Sequence, residues 1–403
     1  MKNKGFKVIA LLCIGALIFS CNDKLITEDA NDELQLKAAS SAKKSYIVVL
    51  NDAELENELT ILKGYEKKQN AVKAKSQKIL TRAGITDGEL GFTYGTALKG
   101  FSVKIAPGQL KKLMADPSIA YIEEDKVIAL APPPGKGKPD NGGGDDGGSS
   151  SQTVPWGITR VGGAADGTGL RAWIIDSGID LDHPDLNVNT SLSQSFLSGK
   201  DANNPDDQNG HGTHVAGTVA AIDNNIGVVG VAAGAEVISV RVLDRRGSGS
   251  YSGVIAGIDY VGTEGKAGDV ANMSLGGGFS QAVNDAVVAA SKNVIFVLAA
   301  GNESTDAASK SPASANGNNI YTISAMGQGD NWASFSNYGN PPVDYCAPGV
   351  GINSTWKNGG YNSISGTSMA APHVAGILLL GNLSSSGTVN GDPDGNPDPI
   401  AHL

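Results

Sequence analysis

Cysteine is nearly missing from this chain: there are three among 403 residues, at positions 13, 21 and 346. The first falls inside an N-terminal signal and the second directly follows it. That leaves Cys346, in VDYCAPG, alone, so no disulfide framework can hold the fold. It reads as a small buried apolar residue rather than a functional thiol. Positive charge is also short. With 31 Lys and Arg against 41 Asp and Glu, and no basic run beyond the first seven residues, the chain offers no face for nucleic acid. Histidine is scarce at five residues, yet two of them, His211 and His214, stand three apart in NGHGTHVAGT. Glycine, in contrast, is plentiful: 54 residues, roughly twice what an average usage of about 7% gives.

The apolar run VIALLCIGALIF, preceded by Lys2, Lys4 and Lys7, is too short to span a bilayer and reads as an export signal. SCNDK follows, with Ile18 three places before Cys21, and resembles the lipobox of bacterial lipoproteins. That implies cleavage before Cys21 and lipidation of its sulfur. An ordinary cleaved signal would want small residues at both Ile18 and Ser20.

Residues 1–20 are thus expected to be a lipoprotein-type signal peptide and 21–44 a polar tether. Residues 45–130 then carry SYIVVL as a strand and a long helical pattern over 52–80. Two strands about a turn follow in LGFTYGTALKGFSVKIA, then a short helix in GQLKKLMADP and a last strand in IAYIEEDKVIAL. The order β-α-β-β-α-β is that of a ferredoxin-like α+β unit. Residues 131–151, rich in Gly, Pro, Asp and Ser, form a linker. Beyond it, apolar runs such as LRAWIID, EVISVRVL and NVIFVLAAGN alternate with helical stretches. This predicts an α/β domain over 152–403 with a parallel sheet covered on both faces. Chemistry in such sheets gathers at the carboxyl ends of strands.

Several polar residues stand where that rule points. Asp176 closes a strand, Asn302 follows another, and Ser368 opens an apolar helix in SISGTSMAAPHVAG. Each alone could be a cap or turn former. At a helix N-terminus, however, backbone N–H groups and the dipole favour an oxyanion beside a serine hydroxyl. H-x-x-H lacks the glutamate and third ligand of a zinc site. His211 sits at the helix start, where it can reach a cleft; His214, one turn in, is better placed to be buried.

Together, IIDSGID, NGHGTHVAGT, SLGGG, AAGNE and GTSMAAPHVAG resemble the signature segments of the subtilisin-like serine proteases, with SPAS and FSNYG leaning towards the proteinase K branch. The order Asp…His…Ser is also that of subtilisin. The resemblance covers 152 to about 380 and implies a subtilisin-like fold with a catalytic triad of Asp176, His211 and Ser368. His211 then belongs within about 3–3.5 Å of both partners. It further implies Asn302 as oxyanion donor and His214 as a packing residue. Ser274, Leu275, Gly276, Ala299, Ala300 and Gly301 would wall the P1 pocket, and Gly247, Ser248 and Gly249 would pair with an extended substrate. Tyr251 would line the P4 pocket. No acid in these segments suggests a basic P1 preference, and small residues imply broad, apolar-leaning specificity.

The same resemblance implies a structural Ca²⁺ held by Gln152, Asp185, Asn224 and the carbonyls of Ile222, Ile226 and Val228. Such an oxygen-only set suits that ion. Residues 45–130 resemble the family's prodomain, implying a zymogen whose prodomain inhibits as a product. Because Pro132 is a poor leaving-side residue, the expected cut is Leu130–Ala131, with Leu130 in the P1 pocket. The expected partners are protein or peptide substrates and the chain's own prodomain. The only membrane contact would be a lipid at Cys21, and the protein would be a monomer. The competing reading is a catalytically silent surface binding protein. The tail GNLSSSGTVNGDPDGNPDPIAHL departs from the family and reads as loop, with DPDGNPD a weaker calcium candidate.

Overall fold

The computed structural model describes residues 42–130 and 151–403. The signal, Cys21, nearly all of the tether and the linker expectation at 131–150 lie outside the described residues. Among the described residues no helix is long and apolar enough to cross a membrane.

The N-terminal domain contains β1 (Lys44–Leu50), α1 (Ala53–Ile61), α2 (Tyr65–Arg82), β2 (Glu89–Tyr94), β3 (Gly100–Ile105), α3 (Pro107–Met114) and β4 (Ile119–Glu124). Its antiparallel sheet runs β2-β3-β1-β4, the ferredoxin-like arrangement expected. The long helical pattern is not one helix. It breaks after Ile61, where Leu62 is extended and Gly64 takes φ +85, a conformation open to glycine. The last strand also breaks. After β4 the chain leaves the sheet, and β5 (Val127–Ala129) pairs elsewhere.

β1 is buried along most of its length because both faces are covered. Tyr46, Val48 and Leu50 pack with Leu55, Val72, Ile79 and Leu113 of the domain's own helices. Ile47 and Val49 face the other way and join the core of the C-terminal domain.

In the C-terminal domain, β6 (Arg171–Asp176), β7 (Glu236–Arg241), β8 (Ser248–Ser250), β9 (Val270–Met273), β10 (Ile295–Ala299), β11 (Ile320–Gly327) and β12 (Val343–Pro348) come first. The hairpin β13 (Ile352–Trp356) and β14 (Gly360–Ile364) follows, then β15 (Ser384–Thr388) and β16 (Pro399–His402). The central sheet is ordered β15-β16-β12-β11-β10-β9-β6-β7, parallel except for β15. Helices α4 (Trp156–Arg160), α5 (His211–Ala220), α6 (Tyr251–Glu264), α7 (Gln281–Ala290) and α8 (Thr367–Leu380) complete the domain. Strand alternation assigns the faces. Ala172 and Ile174 of β6 belong to the core with α5 and α8, whereas Trp173 and Ile175 belong to the core with α6 and α7.

The tail is not a loop. β16 pairs in parallel with β12, and β15 folds back on it. Ile400 and Ala401 are fully buried, and Leu403 N–H donates to Val161 O. The turn-rich acidic stretch hid this because its apolar residues are scattered, Leu383, Val389, Ile400, Ala401 and Leu403, with no run long enough to read as a strand.

Candidate active site

The alternation that puts Ala172 and Ile174 under α5 carries Asp176, the last residue of β6, to the same side. There it meets the first residue of α5. That helix can begin at His211 because Gly210 adopts φ +111. Its first turn lies against the strand end because Gly212 has no side chain: a Cβ there would stand 2.1 Å from Gly178 O. Ser368 is the second residue of α8, and Asn302 follows β10. His211, Asn302 and Ser368 line one cleft of about 290 Å³ with Asn209, Arg246, Trp356, Ile364, Ser365 and Met369.

His211 Nδ1 donates to Asp176 Oδ1 at 2.8 Å and Oδ2 at 3.0 Å, while Ser177 N–H holds the same Oδ1 at 2.7 Å. Burial disfavours a charge on the imidazole. Asp176, and beyond it Asp207, outweigh that and raise the His211 pKa above 6.5. The serine side of the expected geometry differs. The Ser368 hydroxyl donates to Ser274 O at 3.1 Å, and Ser274 Oγ returns a bond to Ser368 O at 2.7 Å. A hydroxyl is a free rotor and turns to the acceptor within reach. Asn302 Oδ1 accepts from Thr367 N–H and Oγ1, both at 2.9 Å, leaving its NH₂ end for the cleft.

His214 lies elsewhere. Its Nε2 meets the carbonyls of Ile352 and Asn362, and burial drives its pKa down to about 3. His373 is likewise buried, with its pKa lowered to about 4. Cys346 is fully buried, and burial raises its pKa far above the usual thiol value.

Gly247, Ser248 and Gly249 form an edge, and the chain's own segment occupies it. Ser248, Gly249 and Ser250 pair antiparallel with Ala129, Ile128 and Val127, and Leu130 N–H donates to Gly247 O at 2.8 Å. Ile128, fully buried, packs in one core with Tyr251. The Tyr251 hydroxyl donates to Gly278 O at 2.5 Å.

Leu130 rests on Gly247 and borders both the recess lined by Ser274, Leu275, Gly276 and Ala299 and the cleft of His211.

Ser274, Leu275, Gly276, Ala299, Ala300, Gly301 and Asn302 do line one recess, and Glu303 and Lys310 line it too. The sequence reading missed this acid, which directly follows Asn302. It carries no free charge into the recess: Lys310 Nζ lies 3.2 Å from Glu303 Oε1, and Asn337 Nδ2 donates to Oε2 at 2.7 Å.

The candidate metal residues also converge. Gln152 Nε2 donates to Ile222 O at 2.7 Å and Val228 O at 3.2 Å, and Asn224 Nδ2 donates to Asp185 Oδ1 at 2.7 Å. Asp185 is fully buried without a cationic partner among its hydrogen bonds, and burial raises its pKa. Ile226 enters only through its N–H, which Asn224 Oδ1 accepts. Among the described residues no three side chains of His, Cys, Asp or Glu form a metal cluster. A set built on one carboxylate, two amides and carbonyls would not form one. Two amide NH₂ groups sit amid these oxygens, and half a turn of each would present oxygen instead. The donor set fits a hard cation.

Two domains of known kind match the chain. The model of the subtilase family matches residues 167–382, and that of peptidase inhibitor I9 matches residues 45–131. Subtilisin-like protease 2 of Pseudogymnoascus destructans is 38% identical over 371 residues, covering 86% of this chain and 82% of that protein. M-protease of Shouchella clausii is 37% identical over 355 residues, covering 85% and 82%. Among solved structures, a cold adapted subtilisin-like serine proteinase is 38% identical with a TM-score of 0.54, covering 63% of this chain and 98% of that one.

Proposed function

The chain belongs to the subtilase family of serine peptidases and carries an I9-type prodomain, and from that premise we propose a self-processing endopeptidase working through Asp176, His211 and Ser368. Ser368 Oγ attacks the scissile carbonyl, and His211 takes its proton and returns it to the leaving amine. Asp176 holds the imidazole in its tautomer and stabilises the imidazolium. Asn302 Nδ2 and the Ser368 N–H donate to the oxyanion. In the precursor Ser368 must turn from Ser274 O towards His211, a change of one rotor. The observation that carries this reading is the Asp176–His211 pair in a cleft shared with Ser368, beside an edge already filled by residues 127–130.

Substrates bind as added strands on Gly247–Gly249. A recess of small residues with its one acid paired to Lys310 supports broad, apolar-leaning P1 choice. The prodomain inhibits by occupying that edge. With Ile128 taken as the P4 residue beside Tyr251, the strand register supports processing after residue 131 in place of the Leu130–Ala131 cut expected from the sequence, with Pro132 on the leaving side, which makes the first cut slow. A Ca²⁺ held by Gln152, Asp185, Asn224 and the carbonyls of Ile222, Ile226 and Val228 would stiffen the loop between α5 and β7. Export as a precursor lipidated at Cys21, with the catalytic domain released by processing, follows from the N-terminal sequence and this order of domains.

The deciding experiment is Ser368→Ala in the full chain. Casein hydrolysis should fall by at least about 10³-fold and the precursor should stay uncut. Processing at the wild-type rate would end the proposal.

A further inference from the structure

Just ahead of the His211 helix lies a buried carboxylate that the mechanism above does not use. Asp207 is 5% exposed and accepts five hydrogen bonds. Three serve the start of α5: Gly210 N–H at 2.9 Å, Thr213 N–H at 3.0 Å and Thr213 Oγ1 at 2.6 Å. A fourth comes from Asn209 N–H at 2.8 Å. The fifth comes from Ser177 Oγ at 3.0 Å, beside Asp176 on the strand end. Ser177 Oγ in turn accepts Gly212 N–H at 3.0 Å, and Ser177 N–H binds Asp176 Oδ1 at 2.7 Å. Burial raises the Asp207 pKa above the usual carboxylate value, and because every partner is a donor these bonds oppose that rise and favour the ionised form.

The geometry points to Asp207 as a positioning residue for the His211 base: one anion ties the end of β6 to the first turn of α5 and so fixes the Asp176–His211 register. This rests on the triad reading. The carboxylate satisfies helix N-terminal N–H groups that would otherwise be orphaned. It also binds the strand through Ser177, so helix and strand cannot slide independently. Its charge acts on the imidazole as well, since Asp207 is among the groups that raise the His211 pKa. The other charged or titratable groups about His211 are Asp176 on β6, Arg246 across the cleft and His214 one turn on, the last held neutral by burial.

Asp207→Asn in the full chain tests this. The amide keeps the volume but loses the charge and places NH₂ against an N–H donor. In the processed enzyme kcat should fall about tenfold to 10²-fold, with KM within about twofold because Asp207 touches no substrate. The acid limb of kcat/KM should move to lower pH by roughly half a unit to one unit, since removing an anion makes the imidazole less basic. A fall in stability alone would not move that limb. Wild-type kcat or an unmoved limb overturns the inference. Ser177→Ala is the milder second variant, removing the hydroxyl bridge and leaving every charge in place. It should lower kcat several-fold with the acid limb unmoved, and wild-type kcat there also overturns the inference. A failure of the triad reading looks different: Ser368→Ala would then retain activity whatever Asp207→Asn does.

Discussion

Two short strands end the two domains, and they are held in opposite ways. β5 closes the prodomain on the Ser248–Ser250 edge, with Ile128 buried but Val127 76% exposed. β16 closes the chain inside the central sheet, between β12 and β15, with Ile400 and Ala401 fully buried. Nearby, Asp398 accepts from Ser324 Oγ at 2.5 Å. Backbone pairing on an open edge costs little to undo, whereas burial of aliphatic side chains on both sides does not. On the self-processing proposed above, a segment that is to be cut and released wants the first arrangement, and a segment that completes a core wants the second.

The prodomain is nevertheless gripped at other points. Asp259 on α6, fully buried, accepts from Gly95, Thr96 and Ala97 N–H at 3.1, 2.7 and 2.7 Å, and from Gln69 Nε2 at 2.7 Å. The traffic also runs the other way. Glu123 accepts from Ala282 N–H and Asp125 from Ser252 N–H, placing prodomain carboxylates at the N-termini of α7 and α6, where the helix dipole favours them.

The contrast can be tested from its stronger side downward. Ile400→Ala should destabilise the Ser368→Ala precursor by about 2–5 kcal/mol, read as a lowered thermal midpoint. A change of a few tenths would mean that the tail is only laid against the sheet. Asp259→Ala leaves several N–H groups facing a gap, at about 1–3 kcal/mol. In the full chain this should shorten the lag before activity appears after self-cleavage, and an unchanged lag would show that the β5 edge alone retains the prodomain.

Chelation should lower the thermal midpoint of the Ser368→Ala precursor by a few degrees, because an ion bound only to the native state stabilises it by mass action. A metal-loaded sample that shows no shift would remove the ion from the scheme.

The smallest effect is on pH. The base works when neutral and its pKa is raised, so kcat/KM should climb with pH and reach half its maximum above 6.5. A midpoint at or below 6.5 would show that desolvation outweighs Asp176 in the free enzyme.

Sequence by itself determined the chemistry-bearing residues and the two layers of architecture. Motifs such as IIDSGID and GTSMAAPHVAG carry residue types whose local roles follow from strand ends and helix starts, and apolar runs alternating with helices leave few topologies. The resemblance to the subtilisin-like proteases also implied that Gln152, Asp185 and Asn224 come together. Other features belong to contacts between segments far apart in sequence. Asp207 is an ordinary acid before a helix until Ser177, 30 positions earlier, is seen to bridge it to β6. Glu303 looks like a free charge until Lys310 and Asn337 take it up. That residues 127–129 would lie along Ser248–Ser250, with Leu130 between the Ser274 recess and the His211 cleft, is likewise a matter of long-range strand pairing. The tail became a strand only because β12 offered an unpaired edge and a hollow for Ile400. Periodicity reports which face of an element is apolar, but which partner covers that face is decided when distant pieces meet.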